Sequence, residues 1–202
     1  MINSSGISWA PMTYSPTTHL IYIPGAITNS LFTLGGGFVR PTNEPRSGTL
    51  TAIDPATNKI AWQKRTKFPI AAGSGLLSTA SGLIFHGEPD GRLVAYDIRN
   101  GNELWSFQTG AGAEAPVATY EVNGEQYVAI LCGGSSFNLS QHGDNLWAFK
   151  LGGKLPPLEA PAEPPTRQPA PAGRGAGGGS GGGRGGRGAA GASGAGQAVG
   201  GR

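Results

Sequence analysis

The chain has 202 residues, of which 36 are glycine and 16 are proline, and its formal net charge is +3. Residues 1–154 carry 10 basic and 10 acidic side chains and all 16 aromatic residues, whereas residues 173–202 carry 4 basic side chains and no acid. No run of 18 apolar residues could span a bilayer, and the first five residues show no export signal. The single cysteine, Cys132, excludes an internal disulfide and a zinc site built on paired thiolates.

Short apolar runs rich in β-branched and aromatic residues dominate the first 154 residues. Turn dipeptides such as Asn100-Gly101 and Asn123-Gly124 separate them, and these accept positive φ and close hairpins. No segment of ten or more residues has a helical apolar period. The runs predicted as strands are 19–23, 50–53, 82–85, 92–96, 126–131 and 145–149. The sequence therefore predicts an all-β domain.

Two stretches, 48–62 and 91–105, are copies of each other at an offset of 43 residues. That period is typical of the four-stranded blade of a β-propeller. Strands placed on the same period predict one four-stranded unit over about 9–65 and a second over about 73–107. A third unit, about 115–151, has only three strands. The predicted fold class is thus an incomplete β-propeller of about three blades.

The fourth strand of the last unit is missing because the chain continues into Leu155-Pro156-Pro157. Closed propellers commonly complete their last blade with a strand from the other end of the chain, which removes free sheet edges. We expect this chain to form the last three blades of a larger ring and to expose two sheet edges. The remaining blades or another protein are therefore the expected partners.

Composition predicts three segments: propeller repeats over 1–154, a proline-rich linker over 155–172 and a disordered glycine- and arginine-rich tail over 173–202. Arginines in a glycine background are one way to bind single-stranded nucleic acid, through phosphate charge and stacking. The tail has four arginines and no aromatic residue. This composition favours a linker or tether over nucleic-acid binding.

The repeat carries a recognisable motif, Ala-x-Asp-x-x-Thr-Gly-Lys-x-x-Trp, at 52–62, where Asn58 replaces the glycine, and more loosely at 95–105, where Asn100 replaces the threonine. It resembles the tryptophan-docking motif of the pyrroloquinoline quinone (PQQ) dehydrogenases, which are eight-bladed propellers. Three further segments resemble the same family in the same order: 6–16, 78–87 and 115–134. The chain is thereby identified as similar to the C-terminal portion of a PQQ-dependent alcohol or glucose dehydrogenase.

The resemblance implies an oxidoreductase that oxidises a small alcohol or sugar in the periplasm. In that family the quinone lies in the central funnel with a divalent cation, usually calcium, and an aspartate accepts the substrate proton. The family's catalytic aspartate and its cation ligands belong to earlier blades, and no residue of this chain matches them. We therefore predict no catalytic or metal-binding residue here, and no activity of the chain alone.

The resemblance also implies cofactor contacts in this portion, at Ser8, Trp9, Gly73, Gly133 and Gly134. Where the family usually has an asparagine that donates to a quinone oxygen, this sequence has Ser8. Where the alcohol-oxidising branch has Gly-Trp, it has Gly133-Gly134, as the sugar-oxidising branch does. Each of these residues also has a simpler interpretation as an ordinary loop residue.

Several motifs have structural interpretations. Trp62 and Trp105 are predicted to pack between blades, and Asp54 and Asp97 to form turns. A GxGxxA pattern at 110–115 precedes a proline and a strand instead of a helix, which excludes a dinucleotide site.

The alternative function is a scaffold. The same repeat builds propellers without a cofactor, such as the outer-membrane assembly lipoprotein, whose blades bind proteins.

Overall fold

The computed structural model describes residues 2–3, 6–7, 9–32, 38–39, 47–68, 74–135 and 140–161. They lie in the first of two compact units, Met1–Gln168, and the second unit, Pro169–Arg202, lies outside the described residues. The predicted linker and tail boundaries therefore stay predictions. Throughout the described residues the regular structure is β-strand, so the all-β prediction is confirmed. No helix capable of crossing a membrane occurs in this part of the chain.

The described strands are β1 (Ile2–Asn3), β2 (Thr13–Ser15), β3 (Leu20–Ile27), β4 (Asn29–Phe32), β5 (Phe38–Val39), β6 (Ser47–Asp54), β7 (Lys59–Thr66), β8 (Leu77–Ser78), β9 (Leu83–Gly87), β10 (Arg92–Asp97), β11 (Glu103–Gln108), β12 (Ala118–Val122), β13 (Glu125–Cys132) and β14 (Asn145–Phe149).

Three antiparallel sheets correspond to the three predicted blades. Blade 1 has the strand order β2-β3-β6-β7, blade 2 the order β8-β9-β10-β11, and blade 3 the order β12-β13-β14. The prediction of two four-stranded units and one three-stranded unit is confirmed. A further small sheet, β1-β4-β5, was not predicted. Two of its strands lie in the long connection between β3 and β6 of blade 1.

The two sequence copies adopt the same local geometry. In blade 1 Ala52 pairs with Trp62, and in blade 2 Ala95 pairs with Trp105. In each copy the register shifts directly after that alanine, as at a β-bulge. A bulge bends and twists a strand, so its repetition at the equivalent position gives the two sheets the same curvature.

The turns that follow confirm the predicted role of the two aspartates. Asp54 accepts hydrogen bonds from the amide of Ala56 and the hydroxyl of Thr57, both at 2.8 Å. Asp97 accepts from the amide of Arg99 at 2.9 Å. Left-handed backbone completes each turn, with φ of 56° at Asn58 and 69° at Gly101. Asparagine and glycine are the residues that adopt this conformation most readily.

The core lies between the sheets in two clusters. The first joins blades 1 and 2 and contains Tyr22, Leu50, Ala52, Leu76, Ile84, Val94, Tyr96 and Ile98. The second joins blades 2 and 3 and contains Leu93, Ala111, Ala113, Val117, Val128, Ile130 and Cys132. Each four-stranded sheet is therefore apolar on the face that meets its neighbour, which is the packing of adjacent propeller blades.

Tryptophans contribute to both inter-blade contacts, as predicted. A Cβ atom added to Gly101 would lie 2.6 Å from the ring of Trp62, so the blade 1 indole rests directly on the blade 2 turn. The ring of Trp105 meets that of Phe149 at 5.7 Å, edge to face. These contacts tie each sheet to the next through large apolar surfaces.

The outer face of blade 3 has no neighbouring sheet within the described residues. Leu131 and Leu146 are 51% and 70% exposed there. Ala148 occupies the repeat position of Ala52 and Ala95, which are buried, yet Ala148 is exposed. The prediction that further blades cover this face stays a prediction.

Candidate functional site

Three of the five predicted cofactor contacts, Trp9, Gly133 and Gly134, lie at one end of the sheets. Because antiparallel strands alternate in direction, the loops that join successive sheets and the loops between second and third strands lie at the same end. This end, which we name the loop end, includes Trp9 and the segments 74–76, 88–91, 109–117, 133–135 and 140–144. Backbone hydrogen bonds connect these segments from blade to blade, from Leu76 to Pro11, Ala113 to Glu88 and Gly134 to Gly112. Ser8 and Gly73 lie outside the described residues.

Trp9 projects from the loop that opens blade 1. Its side chain is 80% exposed, whereas the next residue, Ala10, is buried. The carbonyl of Pro11 accepts the amide of Leu76 at 2.9 Å. Gly75 lies under this loop with φ of 71°, and a Cβ atom there would be 2.5 Å from Pro11. The glycine permits blade 2 to approach closely.

Gly133 and Gly134 begin the loop between β13 and β14 and differ in their surroundings. Gly134 has φ of 68°, and a Cβ atom there would collide with the carbonyl of Gln141. Its amide donates to the carbonyl of Gly112 at 3.0 Å. Gly133 has more room, since the nearest atom to an added Cβ is the Gly143 carbonyl oxygen at 3.7 Å. Backbone packing accounts for the glycine at 134, whereas at Gly133 an added Cβ would make only an ordinary van der Waals contact.

A buried histidine supports the loop end from beneath, and sequence reasoning assigned it no role. His86 is 1% exposed, and its Nδ1 lies 2.7 Å from the carbonyl oxygen of Gly75, to which it donates. Its Nδ1 is also 3.0 Å from the Ser74 hydroxyl, which accepts the Gly87 amide at 2.7 Å. Burial lowers the pKa of His86 to about 4, so the imidazole is neutral at pH 7. Its Nε2 has no hydrogen-bond partner among the described residues.

A second buried network begins two residues after His86, in the connection between β9 and β10. The Glu88 carboxylate is 2% exposed and accepts hydrogen bonds from the Arg92 guanidinium and, at 3.1 Å, from the Tyr96 hydroxyl. Burial raises the pKa of Glu88, and the charge of Arg92 opposes that rise. Arg92 also donates to Asp90 at 3.0 Å. These contacts satisfy the carboxylate within the fold, so Glu88 serves structure.

The loop end offers an aromatic surface and open backbone. The exposed Trp9 indole can stack on one face of a planar ring, and the backbone at Gly133 carries no side chain in the way of an approaching group. Each of these two features, taken by itself, is compatible with a contact to a planar quinone. Within the described residues, no group of three or more carboxylate, imidazole or thiolate side chains is arranged to hold a metal ion.

Comparison with known proteins agrees with this geometry. The family profile of the PQQ glucose/ethanol/alcohol dehydrogenase β-propeller domain matches residues 26–128. A quinoprotein ethanol dehydrogenase of Pseudomonas aeruginosa is 35% identical over 171 residues, which cover 72% of this chain and 27% of that protein. A 1-butanol dehydrogenase (quinone) of Thauera butanivorans is 38% identical over 172 residues, with the same coverage.

Solved structures give the same result. The quinohemoprotein alcohol dehydrogenase ADHIIG of Pseudomonas putida superposes with a TM-score of 0.65 at 31% identity, over 79% of this chain and 28% of that one. The quinohemoprotein alcohol dehydrogenase of Comamonas testosteroni superposes with a TM-score of 0.60 at 29% identity. The chain thus spans about a quarter of the length of the relatives it matches.

Proposed function

Because the chain belongs to the PQQ-dependent glucose/ethanol/alcohol dehydrogenase propeller family, we propose that it forms part of the ring of such an enzyme and that its loop end lines the cofactor funnel. The observation that carries this proposal is the exposed Trp9 indole beside the close approach of Gly75 to Pro11. Relatives named as ethanol and butanol dehydrogenases favour an alcohol over a sugar as the substrate. The resemblance favours the periplasm as the compartment.

In this proposal the chain's residues bind and orient the cofactor. PQQ, when bound, accepts the two electrons that leave the substrate's C–H bond, so the protein supplies position and charge. Trp9 and Ser8 would hold the ring system, the indole by its aromatic face and the hydroxyl as a hydrogen-bond partner. Gly73 and Gly133, which lack side chains, would let the backbone come close, and Gly134 would fix the loop that carries Gly133. The proton-accepting aspartate and the ligands of a cation such as calcium come from other blades.

Binding of PQQ to the purified chain tests this proposal. We expect saturable quenching of tryptophan fluorescence when PQQ is added in the presence of Ca²⁺. The quenching should be concentrated in Trp9, the most exposed of the four tryptophans. Trp9→Ala should abolish the saturable component, and Trp9→Phe should weaken binding by less because it keeps an aromatic face. The dissociation constants of the three proteins are obtained by fluorescence titration and checked by equilibrium dialysis.

Trp105→Phe is the matched control, since Trp105 is 40% exposed and lies in the strand β11 instead of the loop end. This variant should bind PQQ as the wild type does. Equal affinity of the wild type and Trp9→Ala would contradict the proposed stacking. Absence of any saturable binding would favour the alternative, a cofactor-free scaffold, to which the replacement of the usual asparagine by Ser8 already points.

A further inference from the structure

The outermost strand of blade 1 carries an unusual concentration of positive charge. We define the basic edge as Lys59, Lys64, Arg65 and Lys67, all of which are exposed. No acidic residue occurs between Asp54 and Glu88 in the sequence. The ion pairs of the described residues involve Arg92, Arg99 and Lys150, and none involves the basic edge. Its charge is therefore unneutralised within the described structure.

The basic edge adjoins a groove between blades 1 and 2. A cavity of about 240 Å³ opens there, with Lys64 and Lys67 on one wall and Asn102 and Glu103 on the other. The Arg92 guanidinium at the groove is already engaged by Glu88, Asp90 and Glu103. Lys64, Arg65 and Lys67, which form no ion pair within the described residues, remain as the cations able to meet an incoming anionic group.

The backbone of β7 is also available for pairing. Blade 1 ends with β7, whose second edge has no partner strand within the described residues. Such an edge presents unpaired amide and carbonyl groups to which another extended chain can add. Within the described residues, β7 thus combines a backbone edge that has no partner strand with a row of cations that form no ion pair.

Blade 2 shows how an extended segment lies on the equivalent strand. The amide of Leu158, which follows a proline pair, donates to the carbonyl of Gln108 at the end of β11 at 3.0 Å. The Leu158 side chain covers Gly110, coming within 2.8 Å of an added Cβ there. The repeat offset of 43 residues places Arg65 at the position of Gln108, and Lys67 at that of Gly110. In blade 2 the apolar Leu158 side chain fits over Gly110. In blade 1 the equivalent position is Lys67, which favours an acidic side chain in the incoming segment.

We propose that the basic edge of β7 binds an extended acidic segment of a partner protein, which pairs with the free backbone of β7 and places carboxylates against Lys64 and Lys67. This docking surface goes beyond the proposed cofactor function. A second copy of the same edge is excluded by like charge. The chain's own residues 173–202 are excluded for the same reason, since they carry four basic side chains and no acid.

Two short fluorescent peptides of equal charge test the proposal on the full chain by fluorescence anisotropy. One alternates glutamate with threonine and can pair as a strand, and the other alternates glutamate with proline, which has no amide to donate. We expect the threonine peptide to bind more tightly, and added salt to weaken its binding. Lys64→Gln/Lys67→Gln should lower its affinity by about tenfold, as expected for two exposed ion pairs.

Lys150→Gln/Lys154→Gln is the matched control, because it removes the same charge from the end of blade 3. This variant should bind the threonine peptide as the wild type does, and circular dichroism with thermal unfolding verifies that both variants are folded. Equal binding of the two peptides would reduce the interaction to general electrostatic attraction and overturn the proposal. So would equal losses in the two double variants, or no binding at low salt. In those cases the lysines serve only to protect the edge from aggregation.

Discussion

At the scale of single residues, His86 shows how burial changes a side chain's chemistry. The imidazole is enclosed between the loop end and the core, donates from Nδ1 to Gly75 and has an Nε2 without a partner among the described residues. Its protonation would place a charge where water cannot solvate it, so the native state holds the neutral form. The sequence alone does not indicate this role, because the burial of His86 depends on contacts between separate segments of the chain.

The depressed pKa of His86 makes stability depend on pH. The unfolded chain binds a proton near pH 6.5, whereas the native state does so only at about 4. Between these values the unfolded state holds more protons, so the free energy of unfolding falls as the pH falls from 6.5 to 4. The loss from this group is about 2 kcal/mol between pH 7 and pH 5, and about 3 kcal/mol once the pH is below 4. Denaturant unfolding of the wild type at these pH values measures it.

The variant His86→Asn isolates this contribution, because an asparagine amide can still donate to Gly75 and does not titrate. The pH dependence of its unfolding free energy should be flatter than that of the wild type by the amounts above. Burial raises the pKa of Glu88, so this carboxyl makes the free energy of unfolding rise as the pH falls. The contribution of Glu88 is the same in the wild type and in His86→Asn, so it cancels in the comparison. His19→Asn, at an exposed position, is the matched substitution. Parallel curves for the wild type and His86→Asn would contradict the assignment.

At the scale of elements, the sequence predicted the inner strands and the turns well. Strands β10 and β13 concentrate apolar residues because each pairs with a strand on both sides, and a hairpin dipeptide adjoins each of them. The outermost strands β7 and β11 stood out less as strands because exposed positions there carry polar residues such as Lys64. The small sheet β1-β4-β5 escaped prediction because its strands are two to four residues long.

The candidate site was only partly predictable for a physical reason. Family resemblance in local motifs indicated that Trp9 and Gly133 contact a cofactor. Their positions relative to Gly75 and Gly112 depend instead on how separate blades pack together. Contacts of this kind, such as the bond from Leu76 to Pro11, join residues 65 positions apart. No sequence period encodes them.

The turn at Gly101 gives a prediction at this scale. Gly101→Ala would strain a backbone with φ of 69° and push a methyl group into the Trp62 ring. We expect it to lower the free energy of unfolding by about 3 kcal/mol, from a left-handed alanine and an overpacked contact together. Gly124→Ala is the control, with φ of 80° and nothing within 4 Å of an added Cβ. It should cost only the backbone term of about 1 to 2 kcal/mol.

Chemical denaturation of both variants measures the difference, which reports the contact between blade 1 and the blade 2 turn. In a Trp62→Ala background, Gly101→Ala should cost only the backbone part of this free energy, because the methyl group then has space. Equal costs at Gly101 and Gly124 would mean that Trp62 does not rest on this turn.

At the scale of the whole molecule, two sheet interfaces are filled among the described residues, and the outer face of blade 3 has no neighbouring sheet there. Blades 1 and 2 share one apolar cluster, and blades 2 and 3 share another. The outer face of blade 3 has the same apolar character as the faces that are covered, with Tyr120, Leu131 and Leu146 exposed. Contiguous exposed apolar surface is typical of an interaction site. This agrees with the hypothesis that further blades complete the ring.

Two residues of β14 that point to opposite faces, Leu146 and Phe149, test that hypothesis. Phe149 packs against Phe107 of blade 2 at 5.0 Å, whereas Leu146 is 70% exposed on the outer face. In the chain alone, Phe149→Ala should lower the free energy of unfolding by about 3 kcal/mol and Leu146→Ala by less than about 0.5 kcal/mol. In a ring completed by other blades, Leu146→Ala should become destabilising by about 2 kcal/mol, since its side chain is then buried. A large cost of Leu146→Ala in the isolated chain would show that this face is already covered, and an unchanged small cost in the completed ring would show that the added blades pack elsewhere.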